Sequence, residues 1–218
     1  MKVKQLQGIQ SPQIPKLLNA DVPLSIENGV DYSTQLWAGA DFSLQKASGI
    51  LFEQIRFKRV NLNRLELNKS RFADVSIDAC DLSGITCTKT RLQRVEIINS
   101  RLIGANFIES GFDDVSFKDS NLENAAFVSG DLKHTRYQNC NLQNAHFEDA
   151  DLSGVIFEKC NLTGAHLRGV KLNGADFRGS TINEMQVDAK DIRGAIIESA
   201  QAAQVVTLLG LKIKEPGE

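Results

Sequence analysis

Large apolar side chains recur at every fifth position over most of this chain. From Tyr32 to Ile197 the residues at this spacing are Leu, Phe, Ile, Val, Tyr or Trp, and only Ala47 and Cys87 depart from that set. All fourteen aromatic residues of the sequence fall in this one register. A period of five matches neither the 3.6-residue period of an α-helix nor the two-residue period of a β-strand. The pattern therefore predicts a repeat architecture.

The other positions of the five-residue repeat are also selective. The residue two before the large one is small or branched, as at Ala105 and Ser120, and the residue one before it is often Asp or Asn, as at Asp151. Two residues after the large one Gly recurs, as at Gly154. One large and one small inward side chain per repeat fill a narrow core, and Gly and Asn reach turn conformations that strain other residues. We therefore expect a chain that turns after every repeat and coils on itself at a spacing of about 4.8 Å.

This pattern resembles the pentapeptide-repeat family, whose repeat reads A-(D/N)-L-x-x. Two clear instances are the segments 150–154 (ADLSG) and 175–179 (ADFRG). The resemblance implies an all-β solenoid, specifically a right-handed quadrilateral β-helix with four repeats in each coil. The number of repeats then gives about 8 coils stacked on one another.

The register divides the chain into three predicted segments. Residues 1–29 contain three of the four Pro and lack the repeat, so we interpret them as an N-terminal lead-in that caps the first coil. Residues 30–199 form the pentapeptide-repeat β-helix. Residues 200–218 break the period and are predicted to form a C-terminal helical cap, with a short α-helix, because an open β-helix end exposes unpaired backbone groups.

The register predicts which side chains form the core, and the family resemblance implies which ones join two copies of the chain. The predicted structural core consists of large residues in register: Phe52, Phe57, Phe72, Leu102, Phe107, Phe112, Phe117, Leu122, Phe127, Leu142, Phe147, Leu152, Phe157, Leu162 and Phe177. Several pentapeptide-repeat proteins dimerise through a C-terminal segment of this kind, so the resemblance implies a homodimer. The candidate dimerisation residues are Val205, Leu208, Leu209, Leu211 and Ile213.

Composition argues against several classes of function. The 25 basic and 27 acidic residues nearly cancel, whereas a general nucleic-acid binder carries a strong basic excess, so no direct nucleic-acid binding is expected. No apolar run follows residues 1–5, so we expect no signal peptide, and no stretch approaches the roughly 18 apolar residues of a membrane span. The four Cys show no C-x-x-C spacing, and we expect free thiols in a cytoplasmic protein.

The residues that suggest chemistry have simpler interpretations. The recurring Asp and Asn are expected to stabilise turns rather than act as acids and bases. His146 and His166 are twenty residues apart and should stack in adjacent coils, but no third ligand follows from position, so no metal site is predicted. Cys140 and Cys160 stack in the same way, and we favour two thiols over a disulfide. With no catalytic motif and no pocket expected on a rod, we predict no catalytic residue, no cofactor and no enzymatic activity.

Charge and exposed apolar residues indicate an interaction surface. Residues 46–101 contain eleven basic and six acidic residues, whereas residues 102–160 contain four basic and ten acidic ones. These zones are either solvated faces or surfaces that attract a charged partner. Ile108 and Val128 occupy outward positions that should stack into a small apolar patch. The candidate partner surface comprises Asp113, Asp114, Asp119, Glu148, Asp149, Arg56, Lys58, Arg59, Ile108 and Val128.

The sequence thus supports two hypotheses about function. The first is a non-enzymatic bacterial scaffold whose rod surface binds an unidentified protein partner. The second follows from a size and an ending that are similar to those of the quinolone-resistance pentapeptide proteins, which protect DNA gyrase and topoisomerase IV by imitating the charge of a DNA duplex. The basic segment 46–101 and the unbroken register both depart from that branch.

Overall fold

Parallel pairing between residues twenty positions apart organises the fold. The computed structural model describes residues 8–214. Within them, Phe52 lies beside Phe72 and Leu92 beside Phe112, each pair in neighbouring parallel strands. The longest ladder begins at residue 36 and proceeds in steps of twenty to residue 196. Four such ladders run side by side, so each coil has four sides of five residues. The predicted β-solenoid fold is confirmed.

Short strands lie along the sides of the coils. The strands are β1 (Asp31–Ser33), β2 (Leu36–Ala38), β3 (Lys46–Ser48), β4 (Leu51–Glu53), β5 (Arg56–Lys58), β6 (Glu66–Asn68), β7 (Arg71–Asp78), β8 (Arg91–Ile98), β9 (Gly111–Lys118), β10 (Thr135–Gln138) and β11 (Ile156–Glu158). The main sheet has the order β1-β4-β7-β8-β9-β10-β11, with β5 pairing β2 and β7, and β3 pairs β6 separately. Strands β7, β8 and β9 are long enough to continue around a corner from one side to the next.

Most corners place the residue two positions after the large side chain in the left-handed backbone conformation; His134 and Ala189 are exceptions. Within residues 8–214, twenty-one non-glycine residues have positive φ, and every one of them occupies this position, including Leu44 at 62° and Asp114 at 55°. Glycine adopts this conformation without strain, which explains its recurrence there. The Asp or Asn before the large residue supports the same turn, since Asp151 Oδ1 accepts a hydrogen bond from the Ser153 N–H at 3.1 Å. The turn-stabilising interpretation of these residues is confirmed.

The large side chains point inward and stack in columns. All fifteen predicted core residues are buried. Phe117 stacks on Tyr137 with ring centroids 4.9 Å apart and planes 5° apart, and Tyr137 stacks on Phe157 at 5.1 Å. Phe157 continues the column to Phe177 at 5.0 Å. Aromatic rings of adjacent coils therefore pack directly on one another along the axis.

The small inward positions make hydrogen bonds that the sequence did not suggest. The Cys80 N–H donates to Ser100 Oγ, and the Ser100 N–H donates to Ser120 Oγ, both at 3.1 Å. All three residues are buried. At these small inward positions a hydroxyl thus satisfies the backbone N–H of the preceding coil, which water cannot reach.

The N-terminal segment extends farther than the predicted cap of the first coil. Asn19 does pair with Gln35 in that coil, and Ile26 is buried beneath it. The Gln13 N–H, however, donates to Asp74 Oδ1 at 2.8 Å, sixty-one residues away. We call residues 8–19 the N-terminal strap, because they continue along the side of the rod to this buried acceptor. Residues 1–7 of the predicted lead-in lie outside the described residues.

A short helical segment covers the end of the rod. A 3-10 helix (Ser199–Gln201) leads into helix α1 (Ala202–Leu208). The buried Gln201 side chain donates to the carbonyls of Phe177 and Ser180 at 2.8 and 2.7 Å, and so satisfies backbone groups of the final coils. The predicted C-terminal α-helix is therefore confirmed. Residues 215–218 of the predicted cap lie outside the described part of the chain.

Candidate functional site

The candidate partner residues do not form one continuous surface. Ile108, Val128, Glu148 and Asp149 share one edge of the rod, where the Ser129 N–H donates to Glu148 O at 2.9 Å. Ile108, Val128 and Glu148 are half-buried, whereas Asp149 is exposed. We call these four residues the apolar–acidic edge. It lies in the acidic half of the chain, and its charged and apolar side chains are held in a fixed row by the backbone ladder.

A second group of candidates lies at a different corner. Arg56 and Lys58 belong to β5, whose partner residues in β7 are Ser76 and Asp78, and Arg59 follows at the turn. We call Arg56, Lys58 and Arg59 the basic corner. Lys58 and Arg59 are exposed and Arg56 is half-buried, and within residues 8–214 none of the three makes an ion pair. Asp119 occupies the same kind of turn position as Arg59, sixty residues or three coils farther along the rod.

The third group borders a cleft that was not expected from the sequence. Asp113 and Asp114 lie beside His134, whose Nδ1 is 3.2 Å from Asp113 Oδ1. Together with Arg94 and residues 8–10 of the strap they line a cleft of about 660 Å³. The expectation that the rod offers no pocket is therefore wrong, because the strap forms a wall beside the solenoid.

An ion pair lies next to this cleft and anchors the strap. Arg94 donates from Nε to Asp74 Oδ1 at 2.7 Å, and its terminal nitrogen donates to Asp74 Oδ2 at 2.6 Å. The Asp74 side chain is only 9% exposed. The hydrogen bonds from Arg94, assisted by the N–H of Gln13, hold the pKa of the Asp74 carboxyl below its usual value.

Two histidines and a carboxylate meet in the acidic half of the rod. The rings of His146 and His166 stack with centroids 4.4 Å apart, as their spacing predicts. Glu148 Oε1 lies 3.2 Å from Nδ1 of His146 and 3.6 Å from Nδ1 of His166. The prediction that no third ligand joins the pair is wrong. Residues 146 and 148 flank an inward Phe and therefore point to the same side of the chain. The H-x-E spacing in the sequence could have predicted that Glu148 lies beside His146.

The four cysteines are buried and free. Burial raises the pKa of the Cys80 thiol to about 11 and that of Cys87 to about 12. Hydrogen bonding to Cys140 together with burial raises the pKa of the Cys160 thiol. The raised pKa values make Cys80, Cys87 and Cys160 poor nucleophiles and poor metal ligands at neutral pH, whereas the hydrogen bond with Cys160 lowers the pKa of the Cys140 thiol.

No helix within residues 8–214 has both the length and the apolar character that crossing a bilayer requires.

Several solved structures resemble this chain. HetL from the cyanobacterium Nostoc sp. strain PCC 7120, a pentapeptide repeat protein involved in heterocyst differentiation regulation, is 18% identical over 78% of this chain and 84% of its own, with a TM-score of 0.41. Full-length QnrB1, a plasmid-mediated fluoroquinolone resistance protein, is 14% identical over 83% of this chain and 100% of its own, with a TM-score of 0.34.

The family comparison is more direct. No curated protein matches the chain. Residues 70–147 and 90–167 match the family described as pentapeptide repeat region. The same five-residue register continues on both sides of the matched segment, and the same corner geometry accompanies it from residue 34 to residue 184. Residues 70–167 are therefore a region of the pentapeptide-repeat family, and the same repeat continues beyond both ends of that region.

Proposed function

We propose that this protein is a non-enzymatic scaffold that binds a protein partner through the outward side chains of its rod. The observation that carries the proposal is that these side chains stand at fixed spacing on a ladder of parallel backbone pairs. A preformed surface of this kind loses little conformational freedom on binding. The cytoplasmic location of the protein stays a prediction from the sequence.

Two features suggest how a partner would be recognised. The basic corner offers three cations that no carboxylate within the described residues neutralises. On the apolar–acidic edge, half-buried Ile108 and Val128 lie beside the carboxylates of Glu148 and Asp149. A partner with an acidic segment would suit the basic corner, because complementary charge accelerates association and fixes orientation.

Affinity capture from the source cell tests this proposal. Mass spectrometry identifies the captured protein, and its binding to the chain is then measured. Reversing the charges of the basic corner (Arg56→Glu, Lys58→Glu, Arg59→Glu) should weaken binding of the captured partner at low salt. Lys190→Glu, at an exposed and unpaired position outside this surface, is the matched control. Equal binding by all variants, including charge changes at the apolar–acidic edge, would reject the rod surface as the binding site.

We also propose that the C-terminal segment joins two copies of the chain. Val205 and Leu208 pack partly against the core, but Leu211 and Ile213 are 61% and 59% exposed. Exposed large apolar residues at the end of a solenoid are candidates for a contact between copies. Light scattering at tens of micromolar should give a dimer for the native chain and a monomer for the Leu211→Glu, Ile213→Glu variant. Lys212→Glu provides the control, and a monomeric native chain would remove the proposal.

A second candidate function is binding to DNA gyrase or topoisomerase IV in the manner of the quinolone-resistance proteins. The acidic half of the rod favours it, since Asp119 and Asp149 are exposed at corner positions. The basic corner opposes it, because a duplex mimic should be acidic there. A gyrase supercoiling assay with and without a fluoroquinolone decides the matter. If the protein neither inhibits gyrase nor protects it from the drug, this candidate is eliminated and the scaffold proposal is unaffected.

A further inference from the structure

We propose that His146, Glu148 and His166 form a binding site for a divalent transition-metal ion, with Zn²⁺ as the best match. The site goes beyond the scaffold function and does not depend on it. It joins two adjacent coils on the outside of the rod, because His146 and His166 pair across neighbouring turns of the solenoid.

The spacing of the three side chains suits one ion. Ligand atoms from all three residues lie within 4.8 Å of one another. Zn²⁺ binds imidazole nitrogen and carboxylate oxygen at about 2.0–2.2 Å, which places neighbouring ligands of a tetrahedral ion roughly 3.3–3.5 Å apart. Glu148 Oε1 is 3.2 and 3.6 Å from the two Nδ1 atoms, which is close to the separation that such an ion requires between the carboxylate and each imidazole.

The donor set indicates the class of metal. Two imidazoles and one carboxylate suit Zn²⁺, Co²⁺, Ni²⁺ and Cu²⁺, whereas Ca²⁺ and Mg²⁺ prefer oxygen ligands throughout. The three side chains retain between 28% and 39% of their exposure. Solvent therefore reaches the site, and a fourth coordination position is open to water or to a side chain of a bound protein.

A second observation concerns the other carboxylate oxygen of Glu148. This atom, Oε2, is buried and has no hydrogen-bond partner among the described residues. Buried polar atoms in native proteins are rarely left in this state, because each one loses its hydration without compensation. A cation held by Glu148 would provide that compensation.

The surroundings keep the histidines in position. The Phe147 N–H donates to His166 O at 2.9 Å, which fixes the two coils against each other. Gln186 Nε2 lies 3.5 Å from His166 Nε2, so the ring nitrogen that faces away from Glu148 has a polar neighbour. With the Gln186 amide turned so that its Oε1 faces the ring, it accepts the Nε2 proton of His166 and leaves Nδ1 for the ion.

The third histidine supplies a matched control. Asp113, Asp114 and His134 also cluster, but they offer a single imidazole, and Arg94 lies close enough to interact with both carboxylates. Competition from a guanidinium weakens this cluster as a cation site. His134→Ala should therefore leave metal binding unchanged.

Isothermal titration calorimetry with ZnCl₂ tests the site. The full chain is used without an affinity tag. We expect one ion per chain and an affinity that falls at least about tenfold in His146→Ala, His166→Ala and Glu148→Gln, since even the loss of a group that orients a ligand has an effect of that size. Circular dichroism verifies that each variant is folded, and Glu148→Gln preserves the shape of the side chain. The visible absorption of bound Co²⁺, which should also be lost in the three variants, provides an independent readout of ligand geometry.

Two results would overturn the proposal. One is the absence of saturable binding at one ion per chain in the native protein. The other is binding that persists in all three variants or disappears in His134→Ala. The geometry predicts that Zn²⁺ binding is retained in His134→Ala and lost in the other three variants.

Discussion

Arg94 and Asp74 form a bidentate ion pair across two adjacent coils, with donor–acceptor distances of 2.7 and 2.6 Å. Both residues occupy left-handed corner positions, with φ of 49° and 55°. Because the Gln13 N–H shares the same carboxylate, the pair joins neighbouring coils to the N-terminal strap. One short network thus connects parts of the chain that are distant in sequence.

Removal of the guanidinium should destabilise the protein measurably. Arg94→Ala leaves the buried Asp74 carboxylate with only the Gln13 N–H as its donor, and we expect a loss of about 2–3 kcal/mol in the free energy of unfolding. Chemical denaturation of the variant and the native chain provides the measurement. Arg101→Ala, at an exposed and unpaired position, should change stability by no more than about 0.5 kcal/mol. A similar loss of stability in both variants would show that the ion pair between Arg94 and Asp74 does not stabilise the fold more than an exposed side chain does.

The same carboxylate predicts a dependence of stability on acid pH. The pKa of Asp74 is lowered in the folded state, chiefly by the hydrogen bonds from Arg94. Its contribution is therefore present above the unfolded value of about 3.9 and is lost as the pH falls through the lower folded value. Because other carboxylates also titrate here, the native chain should be compared with Asp74→Asn. The difference between their unfolding free energies should shrink from about pH 6 to about pH 2, and a constant difference would contradict the assignment.

The buried hydroxyls at the small inward positions should also contribute to stability. Ser100→Ala removes the acceptor for the Cys80 N–H and leaves that buried group unsatisfied, at a cost of about 1–3 kcal/mol. Ser100→Cys should retain most of the stability, since Cys80 Sγ already accepts the Val60 N–H at 3.3 Å in an equivalent place. Denaturant titration of the two variants checks this order. Greater stability of the Ala variant would show that the small side chain is needed only for its size.

The thiols should be unreactive in the folded protein. Cys80 and Cys87 are 3% and 1% exposed, and burial raises their pKa values to about 11 and about 12. A chromogenic disulfide reagent should therefore react slowly with the native chain at pH 8. In guanidinium chloride it should label all four thiols quickly. Rapid labelling without denaturant would indicate that the coils open readily.

The sequence predicted those features that depend on local spacing. The register of five placed Phe117 and Phe157 in one column, because an uninterrupted repeat returns each side chain to the same side after twenty residues. It could not predict the contact of Gln13 with Asp74, since residues 8–19 carry no register and their path depends on a distant acceptor. To predict that Glu148 lies beside both histidines, two features had to be combined: the alternation of side chains within one coil and the stacking of His166 from the next coil.

The most direct test of the whole account compares two neighbouring residues on opposite sides of the chain. Phe117 is fully buried in the aromatic column, whereas Lys118 is exposed. Phe117→Ala should lower the free energy of unfolding by about 3–5 kcal/mol, and Lys118→Ala should change it by no more than about 0.5 kcal/mol. Equal losses in the two variants, measured by denaturant titration, would contradict the division of the repeat into an inward core and an outward surface.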